Sequence, residues 1–186
     1  MGSRGEHVRA FRAVSYPDVY WRTRSHLQYY LKAVEFAQKY VPQGESVLDV
    51  GGRDCEYLLR MKQFNERLSL DIVSYPSIPG LPRLTVDFMK FEAPHRYDLV
   101  ICLQVLEHLQ EPVPFCRKLF EVGQTVIISV PYKGSMGLEV EHLQHMLDQA
   151  KLKEWTGRDP VESAIVEERL IAVYPGTDPI QSVDQL

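Results

Sequence analysis

At 186 residues, 45% of them apolar and 25% charged, the chain is long enough for one full-sized hydrophobic core and cramped for two. A net charge of −4 with scattered basic residues leaves no basic face of the kind nucleic-acid binders present, and no apolar run reaches the length of a bilayer span. Cys55, Cys102 and Cys116 make neither a disulfide framework nor a zinc signature, and the N-terminus lacks the apolar core of a signal peptide, so a cytoplasmic protein working on small molecules is expected.

Residues 1–24 read as an N-terminal segment and candidate lid, and 25–186 as a single domain. From Ser25 to Tyr40, Leu27, Tyr30, Leu31, Val34 and Ala37 recur at helical spacing, predicting an amphipathic helix with Ser25 as its N-cap. "VPQGE" breaks it and leads into a strand over Ser46–Val50. Then come a predicted helix "CEYLLRMKQF", a strand "RLSLDIV", a Pro/Gly-rich loop, and strands "RLTVDF" and "YDLVICL". A helix "EPVPFCRKLFEVG" and a strand "QTVIISV" ending at Pro131 follow. Several strands are apolar throughout, as when helices cover both faces of a parallel sheet. "GLEVEHLQHMLDQAKLKEW" reads as helical, and "ESAIVEE" and "RLIAVY" lie too close for a crossover, so they form an antiparallel hairpin. The fold class is α/β: a doubly wound, Rossmann-like, seven-stranded sheet, mostly parallel, with a C-terminal antiparallel hairpin and helices on both faces.

Ligands of such sheets bind beyond the carboxyl ends of the strands. Asp49, Gly51 and Gly52 follow the first strand; Asp71 ends the second, Asp87 and Phe88 the third, and Cys102, Leu103 and Gln104 the fourth. A carboxylate about twenty residues beyond a glycine turn suits the hydroxyls of a ribose. The dinucleotide pattern G-x-G-x-x-G is absent, because Arg53 and Glu56 hold its second and third glycine positions, and this disfavours NAD.

Together "VLDVGGRDCEYLL", "LSLDI", "TVDF" and "YDLVICLQVLEHLQEP" resemble the successive motifs of class I S-adenosylmethionine-dependent methyltransferases. "VLEHL" and "VIISVPY" are similar to the small-molecule branch of that family, and the likeness runs from about Leu27 to Tyr174. It implies S-adenosyl-L-methionine as cofactor and a small-molecule or sugar-like acceptor, with oxygen preferred. By the same resemblance, Gly51 and Gly52 would let backbone approach the methionine part of the cofactor, and Asp49 would hold that loop and reach the amine. Asp71 would take the ribose hydroxyls, Asp87 the adenine amino group, Phe88 the ring, and the Leu103 backbone the amino-acid end. Arg53 and Cys55 depart from the glycines common in the first motif. Arg53 could pair with the cofactor carboxylate, or the departures could mark a catalytically silent module of the same fold.

His108 is the first candidate for a general base, since it follows the fourth strand and imidazole titrates near neutrality. Tyr132 and His142 are candidates for the acceptor pocket, while Glu107 reads as structural. A metal on His142 and His145 with Glu141 or Asp148 is weighed and set aside, because two histidines on a solvated helix are common. Tyr20, Trp21 and Tyr30 either form a lid or pack a helix onto the sheet. The cysteines read as small buried residues.

Overall fold

The "SVLDV" run is buried at every position, and its place in the chain's computed structural model, which describes residues 19–133 and 142–175, explains why. This strand, β1 (Ser46–Val50), lies at the middle of a seven-stranded sheet and is flanked on both sides. In chain order the other strands are β2 (Glu66–Asp71), β3 (Arg83–Thr85), β4 (Tyr97–Leu103), β5 (Gly123–Pro131), β6 (Glu162–Val166) and β7 (Arg169–Pro175). They are arranged β3-β2-β1-β4-β5-β7-β6. The first five strands pair in parallel, and β7 runs antiparallel to both β5 and β6. The strand order reverses between β1 and β4, so a crevice opens there beyond their carboxyl ends.

Helices cover both faces, as expected. On one face α1 (Val19–Arg24), α2 (Gln28–Tyr40) and a 3-10 turn over Tyr57–Arg60 bury Trp21, Tyr30, Phe36, Leu58 and Met61 against β1, β4 and β5. On the other, α3 (Pro112–Val122) and α4 (Gln149–Thr156) bury Phe115, Leu119, Leu152 and Trp155. Trp21 meets Tyr30 edge-on at 5.1 Å and is buried, so it packs helix to sheet; Tyr20 alone of the three is only partly buried.

Three local expectations are corrected. The helix expected over Ser25–Tyr40 is α2, which begins at Gln28 and leaves Ser25 outside it; its N-cap is Leu27, which offers no side-chain acceptor. The segment "CEYLLRMKQF" is not an α-helix. Cys55, Tyr57, Leu58, Met61 and Phe64 are all buried in the cluster that α2 covers, and a short 3-10 turn over Tyr57–Arg60 with irregular flanks carries them. Residues 142–148 are likewise irregular, and α4 starts only after Asp148, whose carboxylate caps the Lys151 N–H. Residues 134–141 of that predicted helix lie outside the described residues.

The hairpin between β6 and β7 turns through Glu167 and Glu168, both left-handed at φ 48° and 61°. A two-residue turn with positive φ at both positions matches the twist of its strands, but normally uses Asn or Gly. Glu167 compensates by accepting the Gln28 backbone N–H at 2.7 Å, capping the α2 terminus that Leu27 leaves open. Glu167→Ala is expected to lower stability by about 1 kcal/mol in urea unfolding. Glu168→Gly, which removes only the steric cost of positive φ, is expected to raise it by up to about 1 kcal/mol.

Candidate functional site

Beyond β1 the chain turns at Gly51, at φ 77°, and the backbone N–H groups of Gly51 and Gly52 both reach the Leu70 carbonyl at the end of β2. The glycines are demanded by the protein's own packing. A Cβ on Gly51 would lie 2.4 Å from Val105 Cγ2, and one on Gly52 would lie 2.1 Å from Asp49 Oδ2 and 2.2 Å from Ser69 Oγ. Arg53 is also left-handed, at φ 49°. That is why glycine would suit the position, and it shows that the turn keeps its shape with arginine in it, at a steric cost of about 1 kcal/mol.

Under the turn lies Asp49, 1% exposed. Its Oδ1 accepts from the Tyr57 hydroxyl at 2.6 Å, and Ser69 Oγ is 3.5 Å from Oδ2. Burial pushes its pKa up to about 7, against the lowering effect of the Tyr57 hydrogen bond. Cys55 is buried beside it, with Sγ 3.2 Å from the Tyr30 hydroxyl, and burial raises the thiol to about 12. The Cys55 departure therefore lies in the core under the loop.

Asp71 sits at the rim. Its Oδ2 accepts from the Arg53 N–H at 3.0 Å and its Oδ1 from the Val73 N–H at 2.9 Å, which fixes the carboxylate plane and leaves lone pairs on both oxygens. Asp87 caps the 3-10 turn Phe88–Lys90 through the Met89 N–H at 2.9 Å. Phe88 is buried with its ring 4.8 Å from Phe115, and the Leu103 side chain is buried at the end of β4. The Arg53 guanidinium lies 4.0 Å from the centre of the Tyr20 ring, with Arg24 equally close to that ring, and 5.9 Å from Tyr75.

All nine predicted site residues, Asp49, Gly51, Gly52, Arg53, Asp71, Asp87, Phe88, Leu103 and His108, line one cavity of about 900 Å³. That is room for a cofactor and a small acceptor together. Ile72, 70% exposed, and Met89, 44% exposed, add apolar surface to its wall beside the two carboxylates. At the other end stand Glu107, buried, and His108, whose ring lies 4.8 Å from that of His142 and nearly perpendicular to it. His145 lines the cavity too, whereas Tyr132 does not. Tyr57, Ser69 and Tyr75 escaped the sequence reading. The segment holding Tyr57 has the spacing of a helix but folds as a 3-10 turn that brings its hydroxyl under Asp49, and Tyr75 sits in an irregular loop.

No family model matches the chain, and no curated protein matches its sequence. Solved structures do. A Burkholderia thailandensis 1,6-didemethyltoxoflavin-N1-methyltransferase, determined with 1,6-didemethyltoxoflavin and S-adenosylhomocysteine, is 15% identical with a TM-score of 0.69, over 84% of this chain and 81% of that one. A chain from the Haloferax volcanii complex of the Trm112 methyltransferase activator with a putative methyltransferase matches at 13% identity and a TM-score of 0.69, over 84% and 93%. The N-methyltransferase NodS of Bradyrhizobium japonicum WM9 matches at 10% identity and a TM-score of 0.61, over 81% and 96%. The fold is the one shared by class I S-adenosylmethionine-dependent methyltransferases, with its parallel sheet closed by the antiparallel β7.

Asp49 makes stability depend on pH. Its folded pKa of about 7 lies above the ordinary carboxylate value, so the folded state binds the proton more tightly. The contribution is full below about pH 4 and fades as pH rises through 7. Stability from this group is expected to fall by on the order of 2 kcal/mol between pH 5 and 8, and Asp49→Asn should abolish that component in urea unfolding at the two pH values.

Proposed function

We propose that this protein is an S-adenosylmethionine-dependent methyltransferase acting on a small, polar acceptor. One observation carries the reading. Beside the switch point of this fold, Asp71 at the end of β2 and Asp87 just beyond β3 stand on a cavity wall that also exposes Ile72 and Met89, and a nucleoside needs that combination of ribose acceptors and a flat apolar seat. The residues fit the cofactor. Asp71 keeps lone pairs for two ribose hydroxyls, and Asp87 stands near for the adenine amino group. Phe88 backs the ring from the core, and Leu103 offers backbone at the amino-acid end. Gly51 and Gly52 keep the turn low, Asp49 holds it from below, and Arg53 is the cation available to the carboxylate. Residues 1–24 remain proposed as a lid, with Tyr20 as its part at the cavity, and 25–186 as the catalytic domain.

When bound, the cofactor supplies a methyl group already activated on a sulfonium. The chain's part is then alignment and exclusion of water. The acceptor belongs at the His108–His142 end, where oxygen is the proposed nucleophile. An amine carries its own reactive pair, whereas a hydroxyl gains from the help that a buried carboxylate and two imidazoles can give. The relatives named above for N-methylation make nitrogen the alternative, and transfer of labelled methyl followed by mass spectrometry of the product decides between them. The protein is further proposed to act in the cytoplasm on metabolites and not on nucleic acid; among the described residues no helix is long and apolar enough to cross a membrane.

Calorimetry with S-adenosylhomocysteine tests the central claim. Asp71→Ala is expected to weaken binding by on the order of 100-fold, from two lost charge-assisted hydrogen bonds, and Asp71→Asn by less, since its amide still supports the Arg53 or Val73 N–H. An Asp71→Ala protein that stays folded by circular dichroism and binds as tightly as the parent overturns the reading. Tight binding without transfer to any metabolite in a labelled-donor screen would point to the silent module.

A further inference from the structure

We propose that Glu107, His108 and His142 form a binding site for a divalent first-row transition-metal ion at the acceptor end of the cavity. The inference rests on the methyltransferase reading for its use, but not for its existence. One ligand atom from each of the three residues lies within 4.8 Å of the other two. Glu107 Oε1 is 4.0 Å from His108 Nε2, and the imidazoles of His108 and His142 approach edge to face at 4.8 Å. An ion about 2.0–2.2 Å from each donor holds its ligands roughly 3–3.5 Å apart, so side-chain rotations of about an ångström complete the site.

The backbone brings the two halves together. Glu107 and His108 ride on the 3-10 turn after β4, and His142 belongs to the segment that returns after β5. Immediately after His142, the Leu143 and Gln144 N–H groups donate to the Glu107 carbonyl at 2.8 and 3.0 Å, and Gln144 Nε2 reaches the Leu109 carbonyl at 2.9 Å. The residue supplying the carboxylate thus anchors the strand of chain supplying the second imidazole. Glu107 is 1% exposed while the His108 side chain is 40% exposed, so a buried carboxyl group lies behind partly open nitrogens. Two imidazoles with a single carboxylate select a transition ion over magnesium or calcium, and three protein ligands leave positions open to the cavity. There the ion would take the acceptor hydroxyl as a ligand and release its proton to solvent, leaving an oxygen nucleophile for the methyl carbon. This gives the ion the task expected of His108 as a base, and gives His108 the task of holding it.

The test uses the untagged full chain, stripped with chelator and titrated with Co2+ in calorimetry and visible absorption. The expected result is one-to-one binding with ligand-field bands, weakened at least roughly 10-fold in both His108→Ala and His142→Ala and unchanged in His95→Ala, whose histidine pairs with Glu66 elsewhere on the surface. Absence of binding, or binding that survives both cavity substitutions, overturns the proposal. S-adenosylhomocysteine affinity measured on the same proteins separates the two claims. Cofactor product bound without Co2+ sinks the metal site alone, and Co2+ bound without cofactor product sinks the methyltransferase reading alone.

Discussion

Everything at the open end of the sheet stands on the buried carboxylate of Asp49. It is fixed in β1, it takes the Tyr57 hydroxyl from the following turn, and it lies against Gly52 and Ser69 so tightly that no side chain fits at Gly52. This single group joins β1, β2 and the loop between them. The loop in turn presents the Arg53 N–H to Asp71, so the rim carboxylate is oriented by the turn that the buried carboxylate shapes. Cofactor geometry in the proposed site is therefore set from underneath, by a group the ligand need not touch.

The sequence made the sheet legible because its central strands β1, β4 and β5 are short and largely apolar. Where two strand-like segments lie almost back to back, the reading and the structure agree: the hairpin "ESAIVEERLIAVY" lies where its spacing placed it. Where a helix-like spacing is met by other backbone, they part. The residues from Cys55 to Phe64 look helical by composition, yet their packing under α2 is met by irregular backbone, and so the donor to Asp49 stayed hidden. The N-terminus of α2 was misplaced for a related reason, because its cap comes from Glu167, 139 positions further along, and no local signal could show it.

The site was legible in the same uneven way. Strand-end residues such as Asp71 and Asp87 could be listed because topology alone puts them at one edge. The glycine turn was found, but its cause was not: Val105, Asp49 and Ser69 exclude side chains there, which only three-dimensional contact reveals. Glu107 read as structural and His142 as part of a helix with His145. Over residues 142–148 the backbone is instead irregular and sets His142 against His108, a pairing across more than thirty residues that no local signal could show.

The carboxylate of the last hairpin holding the first long helix has a consequence for synthesis. As the polypeptide leaves the ribosome, β1 to β5 emerge with the β5 edge bare, and α2 has no acceptor for its leading N–H until Glu167 arrives. The β6–β7 hairpin both seals that edge, through β7, and brings the missing acceptor, in its turn, so a late-made element completes two features set up earlier in the chain. A nascent chain stalled before Glu167 would carry an open, apolar strand edge and a loosely started helix, a form that invites capture by chaperones or pairing with its neighbours.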